Sequence, residues 1–302
     1  MKDDNQLKRI ILETLGVALC MILYTIIGFY TYPIILILFP VLFIAYGVKN
    51  GSINSILIMA VVSVIIGLTT DMMSGLLLFI AFAPMTIIII YGIKNRRKSI
   101  EILAASSVVF FIIIAIELEN NLKNILDVQV DMFKDMDLTN LELQRVKDLL
   151  ENAYKYMLMI VPSMIIIAAL LISYINYYLS AILLRKINIG VVNIPRFSKF
   201  RLPNNIVPGI LIMFLGAYLT KNIEGFNFDA ILANLVLLVG FMIYIQGLSV
   251  IDYLMAKKKV ANAFRIVFLL ISVFFTPLVS IISILGLLDI FIDFRKINKL
   301  KS

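Results

Sequence analysis

Residues 75–93 read GLLLFIAFAPMTIIIIYGI, a stretch without a single charged side chain. A helix needs about 20 mostly apolar residues to cross the hydrocarbon core of a bilayer. Inside lipid only a helix or a closed barrel satisfies its own backbone, and this stretch lacks the alternating pattern of barrel strands. Eight further blocks are similarly apolar: Leu15–Tyr30, Pro33–Val48, Ile53–Leu68, Ile100–Ile116, Tyr156–Leu184, Ile206–Leu219, Ile231–Met255 and Ile266–Phe294. The sequence therefore predicts an all-α fold, a polytopic integral membrane helical bundle with eight or nine transmembrane helices.

The composition narrows the functions that are open to the chain. Of its 302 residues, 62% are hydrophobic, which is more than an ordinary soluble domain contains. Histidine is absent and Cys20 is the single cysteine, so the sequence offers no His-based triad, no disulfide within one chain and no ligand set for zinc, haem or an iron–sulfur cluster. The phosphate-binding motif G-x-x-x-x-G-K-[ST] is also missing. We therefore expect a protein that is not an enzyme, has no catalytic residues, binds no metal and needs no cofactor.

Lysine and arginine residues indicate which loops face the cytoplasm. They concentrate before the first block and after the second, fourth, sixth and eighth, whereas residues 28–32, 69–74 and 221–229 carry almost none. We therefore expect a cytoplasmic N-terminus, and the net charge of +8 reflects this topology rather than binding of nucleic acid. The cations of the longer basic loops are candidate contacts for anionic membrane lipids, with a cytoplasmic or membrane partner subunit as the alternative. They are Arg96, Arg97, Arg185, Lys186, Arg196, Lys199 and Arg201.

The C-terminal end conflicts with a simple count of nine crossings. Nine crossings would place the tail outside, yet the residues after Phe294 include four lysines and arginines. Either the final block re-enters the membrane near Thr276–Pro277 and returns, or an earlier block does not span. The short block Ile206–Leu219 is the candidate for the second case.

Glu117–Lys155 is the one long polar segment, with nine acidic against five basic residues, and the alternation of loops places it outside. Its apolar residues recur at helical spacing. Thr139 followed by Glu142 forms a capping box, which starts a second helix. We expect two amphipathic helices over the outer mouth of the bundle. They act either as a lid over a ligand cavity or as a solvated connector that packs on the bundle.

Polar groups inside or beside the apolar blocks are candidates for function, because burying them in lipid is costly. Asp71 precedes the fourth block, where it is expected to cap the helix, to contact a ligand, or both. Tyr30 and Tyr32 lie in the first outer turn, either as ordinary interfacial tyrosines or as a stacking wall for a flat ligand. Asp252 is expected to pair with the lysines that follow it. Asp289 and Asp293, followed by Arg295 and Lys296, are expected to form a salt-bridged helix terminus at the membrane interface.

Several features occur in a characteristic order along the chain. A first helix ends in an aromatic loop, and Pro33 opens a short second helix that ends in YGVKNG (residues 46–51). Gly67 and Asp71 close the third helix, and the fourth contains Pro84. Over residues 10–184 this order resembles the substrate-binding S component of energy-coupling-factor (ECF) vitamin transporters. IQGLS (245–249) and GLLDIFIDFR (286–295) together are similar to the YybS-like family of bacterial membrane proteins, which has no known function and is thought to be related to S components.

The resemblance implies an S-component-like six-helix membrane domain over residues 1–184, including the segment 117–155, and a C-terminal membrane domain of two to three helices over residues 185–302. It implies a multi-pass protein of the bacterial plasma (inner) membrane. It also implies a ligand near the outer face, at Tyr30, Tyr32 and Asp71. The first helix departs from the S-component pattern, since it offers Gly16 and Cys20 in place of an Ala-x-x-x-Ala face.

The sequence is compatible with three functions. The first is a non-enzymatic, small-molecule-binding or transport-related protein that depends on a partner ATPase complex for energy. The alternative is a membrane scaffold or regulatory subunit without a ligand. The third is an ion-driven secondary transporter. Two observations argue against it: no apolar block has a charge near its centre, and the sequence shows no paired broken helices.

Overall fold

The computed structural model describes residues 2–31, 33–134, 140–189, 196–203, 205–292 and 295. Within these residues the chain forms α-helices and short 3₁₀ turns, and no strand. The helices are α1 (Lys2–Tyr30), α2 (Pro40–Asn50), α3 (Ser52–Thr69), α4 (Met72–Lys94), α5 (Ser99–Lys134), α6 (Asn140–Lys186), α7 (Ile206–Leu219), α8 (Phe228–Lys257), α9 (Asn262–Ser272) and α10 (Thr276–Ile292). The 3₁₀ turns are Pro33–Leu38, Phe197–Lys199 and Thr220–Asn222. The predicted all-helical membrane fold is confirmed.

Six helices of the described chain are long and apolar enough to cross a membrane: Ile10–Tyr30, Ser52–Thr69, Met72–Lys94, Ser99–Glu117, Gln144–Lys186 and Phe228–Lys257. Three apolar helices are shorter: Ile34–Asn50, Ile206–Asn222 and Thr276–Ile292. The number of crossings, eight or nine, stays a prediction because it depends on how the short helices meet the bilayer.

The polar segment Glu117–Lys155 is helical on both sides of residues 135–139, which lie outside the described part of the chain. Helix α5 runs from its apolar part to Lys134 as one helix of 36 residues, which is about 54 Å at 1.5 Å per residue. Helix α6 begins at Asn140, next to the predicted cap, Thr139, which is among the residues not described. The two predicted amphipathic helices are thus continuations of membrane helices. The lid role stays a prediction.

The final apolar block is interrupted, because α9 ends at Ser272 and α10 begins at Thr276. The guanidinium of Arg265, in the first turn of α9, bonds Asp252 of α8. The guanidinium of Arg295, just after α10, bonds Ser249 of α8. Since residues 249 and 252 lie within one helical turn, the segment starts and ends beside the same turn of α8. A block that re-enters and returns would have this geometry.

The chain divides into two compact units, which we call unit 1 (Met1–Gln129 and Ile165–Ile194) and unit 2 (Val130–Met164 and Pro195–Ser302). The core of unit 1 is apolar and includes the fully buried side chains of Phe39, Phe43, Ile44, Met59 and Met85. The domain boundary predicted at residues 184/185 stays a prediction.

In unit 2, helices α8 and α10 approach each other at two glycines. A β-carbon on Gly247 would lie 1.9 Å from the carbonyl oxygen of Ile282, and one on Gly286 would lie 2.1 Å from that of Ile243. Only residues without a side chain permit so close a backbone approach, which is a common way for membrane helices to pack. The two glycines belong to the IQGLS and GLLDIFIDFR motifs, so these motifs meet in space.

A second contact in unit 2 surrounds Pro162, which lies inside α6 and has no N–H to donate. In an unbroken helix the N–H of Ser163 bonds the carbonyl of Met159. Here the side-chain amide of Asn234, from α8, bonds both groups: its oxygen accepts from the Ser163 N–H at 2.9 Å, and its nitrogen donates to the Met159 carbonyl. The Ser163 hydroxyl donates to the backbone carbonyl of Asn234 at 3.0 Å. The amide therefore fixes α6 to α8 at the proline.

Candidate functional site

A groove of about 330 Å³ opens in unit 1 where three helix segments meet. They are the C-terminal end of α1, the first half of α4, and the end of the apolar part of α5. The sequence predicts all three on the outer side of the membrane. The walls are apolar, with Phe29, Leu78, Phe82 and Ile114 among the lining side chains. The groove thus has the size and apolar lining of a small-molecule site.

Ser74 and Glu117 are the polar lining residues of the groove. Ser74 lies in the first turn of α4 because Asp71 caps that helix: the Asp71 carboxylate accepts from the Ser74 N–H at 3.0 Å and lies 3.3 Å from the Ser74 hydroxyl. Glu117 comes at the point where α5 turns from apolar to polar sequence. A hydroxyl and a carboxyl group therefore border a site that is otherwise apolar. Sequence reasoning did not select Ser74, although its spacing from Asp71 is that of a capped first turn.

Of the three residues predicted to contact a ligand, Asp71 and Tyr30 are not among the lining residues of the groove. Asp71 is exposed and performs the predicted capping. Tyr30 is 74% exposed at the end of α1, and its neighbour Phe29 lines the groove instead. Tyr32 lies outside the described residues. Ligand contact by the three residues stays a prediction.

The 3₁₀ turn Pro33–Leu38 holds the end of α1 in place. The Tyr24 hydroxyl donates to the backbone carbonyl of Ile35 in this turn. On the far side of the turn, the Asn176 amide donates to the carbonyl of Ile37 at 2.9 Å. These bonds fix the aromatic end of α1 against unit 1, and with it the Phe29 wall of the groove.

The basic residues proposed as lipid or partner contacts are mostly on the surface. Arg96, Arg97, Arg185, Lys186, Arg196 and Lys199 are exposed, and Arg201 is partly buried. Their exposure fits either role, and both roles stay predictions.

Unit 2 contains a buried polar cluster, which we call the Asp289 cluster: Gln246, Ser249, Asp289 and Arg295. The side chains of Asp289 and Arg295 form an ion pair at 2.8 Å and are fully buried. Gln246 donates to the same Asp289 oxygen at 2.6 Å, and Arg295 also donates to the Ser249 hydroxyl at 2.7 Å. The predicted salt-bridged terminus is thus observed, but it lies inside the protein rather than at an interface. Asp293 and Lys296 lie outside the described residues.

The Asp289 cluster also binds backbone of the loop before α7. Arg295 donates to the carbonyl of Ser198 at 3.0 Å, and the Gln246 side-chain oxygen accepts from the N–H of Leu202 at 3.0 Å. Within the described residues, Oδ1 of Asp289 and Nε of Arg295 have no hydrogen-bond partner. Since a buried charge is stabilised only by its partners, the two ionised groups depend on each other.

The expected partner of Asp252 was wrong. Its carboxylate pairs with Arg265 at 2.5 Å, not with the lysines at 257–259 that follow it on the same predicted side of the membrane. Those lysines are exposed at and just after the end of α8, whereas the first turn of α9, a different helix, brings Arg265 back over α8.

Comparisons with known proteins support the family that the motifs indicated. "Uncharacterized protein YybS" of Bacillus subtilis (strain 168) is 23% identical to this chain over 283 residues, which cover 89% of the chain and 90% of that protein. No solved structure matches the chain. The resemblance to S components therefore stays a prediction. A family profile described as "Predicted membrane protein (DUF2232)" matches residues 17–290, from within α1 almost to the end of α10. The chain therefore belongs to this DUF2232 family of predicted membrane proteins.

Proposed function

We propose that the chain binds a small amphipathic molecule in the groove of unit 1 and acts as a non-enzymatic, transport-related protein. The observation that carries the proposal is the groove itself, about 330 Å³ of apolar space bordered by Ser74 and Glu117. A ligand that fits this chemistry has an apolar body and a polar group that donates hydrogen bonds to the hydroxyl or the carboxylate. Pockets of about 300–1,000 Å³ hold small molecules, and this groove is at the lower end of that range.

The predicted location of the groove on the outer side of the membrane fits a ligand that is taken up from outside the cell. Phe29, Ser74 and Glu117 come from three helix ends that the charge pattern places on the outer side of the bacterial plasma membrane. Because the sequence has no phosphate-binding loop, energy for transport would come from a partner ATPase. This part of the proposal predicts an associated subunit with a nucleotide-binding motif of its own.

The test is native mass spectrometry of the detergent-purified chain, which detects a co-purifying molecule directly. The variant Ala81→Phe places a ring at the wall of the groove, and Ala104→Phe is the matched control because residue 104 is exposed on α5 and does not line the groove. We expect a discrete bound mass in the unchanged chain and in the control, and its loss in Ala81→Phe. Only phospholipid masses in the unchanged chain, or equal retention in both variants, would refute the groove as a binding site.

The scaffold alternative makes the opposite prediction in the same experiment, namely no bound molecule but a co-purifying protein. Neither the scaffold nor the ion-driven transporter is favoured by a specific observation in the described residues. The groove is what places ligand binding first.

A further inference from the structure

The turn Phe197–Lys199 in unit 2 is held to α8 through its backbone carbonyls. The Ser249 hydroxyl lies 2.7 Å from the carbonyl oxygen of Phe197 and 2.9 Å from that of Phe200. Arg295 donates to the carbonyl of Ser198, between them. Three carbonyl groups of one short segment therefore face buried donors, and their negative ends are turned away from the surface.

The outer side of the same segment carries cations and an aromatic ring. Arg196 and Lys199 are exposed, and Phe200 is 40% exposed. The rings of Phe197 and Phe200 stack at a centroid distance of 6.4 Å and an interplanar angle of 14°. Two positive groups thus stand beside an apolar surface on a segment whose backbone is fixed.

In the described part of the chain, carboxylates do not pair with these cations. On α8 and α10 the described carboxylates closest to the segment's anchor are Asp252 and Asp289, and each is paired with its own arginine, Arg265 or Arg295. Among the described residues, no ion pair is formed between an acidic side chain and Arg196 or Lys199. As far as the described residues go, the exposed positive charge is available to an anionic ligand.

We propose that Arg196–Phe200 is a binding site for the headgroup of an anionic phospholipid. The phosphodiester lies between the Arg196 guanidinium and the Lys199 ammonium, which are the usual phosphate partners. Phe200 packs its apolar ring against the first methylene groups of an acyl chain, which buries apolar surface. Because the turn is already fixed by Ser249 and Arg295, little ordering is lost on binding. The site is in unit 2 and is independent of the function proposed for unit 1.

The experiment is a lipid titration of the purified full chain, read by native mass spectrometry as a dissociation constant for each lipid. The probes are phosphatidylglycerol, phosphatidylcholine with the same acyl chains, and inorganic phosphate. The test variant is Arg196→Gln combined with Lys199→Gln. The matched control is Lys257→Gln combined with Lys258→Gln, which removes two exposed cations from the end of α8, on the same predicted side of the membrane.

Each cation that contacts the phosphodiester directly should contribute about 1 kcal/mol, or about fivefold in affinity, so the test variant should bind phosphatidylglycerol about 25-fold more weakly. Phosphatidylcholine binding should be unaffected, and the control variant should lose less than about fivefold. An equal loss in both variants would show diffuse attraction to the whole basic surface and would overturn the proposal. Binding of inorganic phosphate as tight as that of the lipid would overturn it in favour of a free-anion site. Thermal unfolding of each variant verifies that it is folded.

Discussion

The ion pair between Asp289 and Arg295 should be strongly coupled, which a double-mutant cycle can measure. Arg295→Met leaves the Asp289 carboxylate buried with Gln246 as its remaining partner. Asp289→Asn leaves the buried Arg295 guanidinium without a counter-charge. Breaking a buried pair from one side costs about 3–5 kcal/mol in the free energy of unfolding, because an uncompensated charge stays inside. Removing both charges costs far less, since the replaced pair also loses its desolvation penalty.

The double variant is not expected to be neutral. It gives up the bonds from Arg295 to Ser198 and Ser249, at about 1 kcal/mol each, and leaves the Gln246 amide with one partner fewer. We therefore expect about 2–4 kcal/mol for the double variant, against a sum of at least about 6 for the single ones. The coupling energy is then at least about 2 kcal/mol.

Unfolding by sodium dodecyl sulfate in mixed micelles provides the measurement. The chain has no tryptophan, so Phe264→Trp, at an exposed position of α9, supplies a single fluorescent reporter in unit 2. The more exposed pair of Arg265 and Asp252 is the matched control, where Arg265→Met should cost less. Additivity of the two single effects within about 0.5 kcal/mol would refute the reasoning, because independent groups behave in that way.

Three further predictions follow from local geometry. Gly286→Ala should lower the free energy of unfolding of unit 2 by about 1–3 kcal/mol or more, because the new β-carbon would meet a backbone carbonyl. Gly240→Ala is the control: a β-carbon there would have nothing within 4 Å, so this variant should be neutral or stabilising in the same micelle assay. Asn234→Leu should cost about 1–2 kcal/mol through the bonds lost at Pro162, and unchanged unfolding would mean that α6 satisfies its own backbone there. Asp71→Ala should cost about 1 kcal/mol of stability, while Asp71→Asn keeps a capping side chain. If Asp71→Asn nevertheless loses the mass bound to the unchanged chain in native mass spectrometry, Asp71 contacts the ligand as well as capping α4.

Features that depend on neighbours along the chain were predictable from the sequence. The apolar blocks, the cap at Asp71 and the break near Thr276–Pro277 follow from residues within a few positions of each other. A carboxylate before a helix finds the free N–H groups of the first turn whatever the rest of the fold does. The interruption of the last block likewise has a local signal in its proline. Such features are predictable because the interacting groups are only a few residues apart along the chain, so the rest of the fold does not decide whether they meet.

The groove could not be predicted in this way, because Phe29, Ser74 and Glu117 come from three different helices. Each position alone resembles an ordinary helix end at a membrane interface. The error at Asp252 has the same origin. The sequence favoured the nearest lysines, but a helix that turns back brings Arg265 closer in space than residues adjacent in sequence.

The Asp289 cluster shows how a charge near the end of an apolar block can be misread. In the sequence, Asp289 and Arg295 look like a polar helix end that faces water. In the structure, Gly247 and Gly286 let α8 and α10 come so close that the carboxylate is enclosed, and enclosure then requires the partners Gln246 and Arg295. The buried charges therefore depend on the close glycine contact, because a wider spacing between α8 and α10 would admit water and make the ion pair dispensable.

This dependence can be tested with a double variant. In a Gly286→Ala background, Arg295→Met should lower the free energy of unfolding by clearly less than the about 3–5 kcal/mol expected in the wild-type chain. Equal costs in the two backgrounds would show that the glycines pack the helices without enclosing the charges.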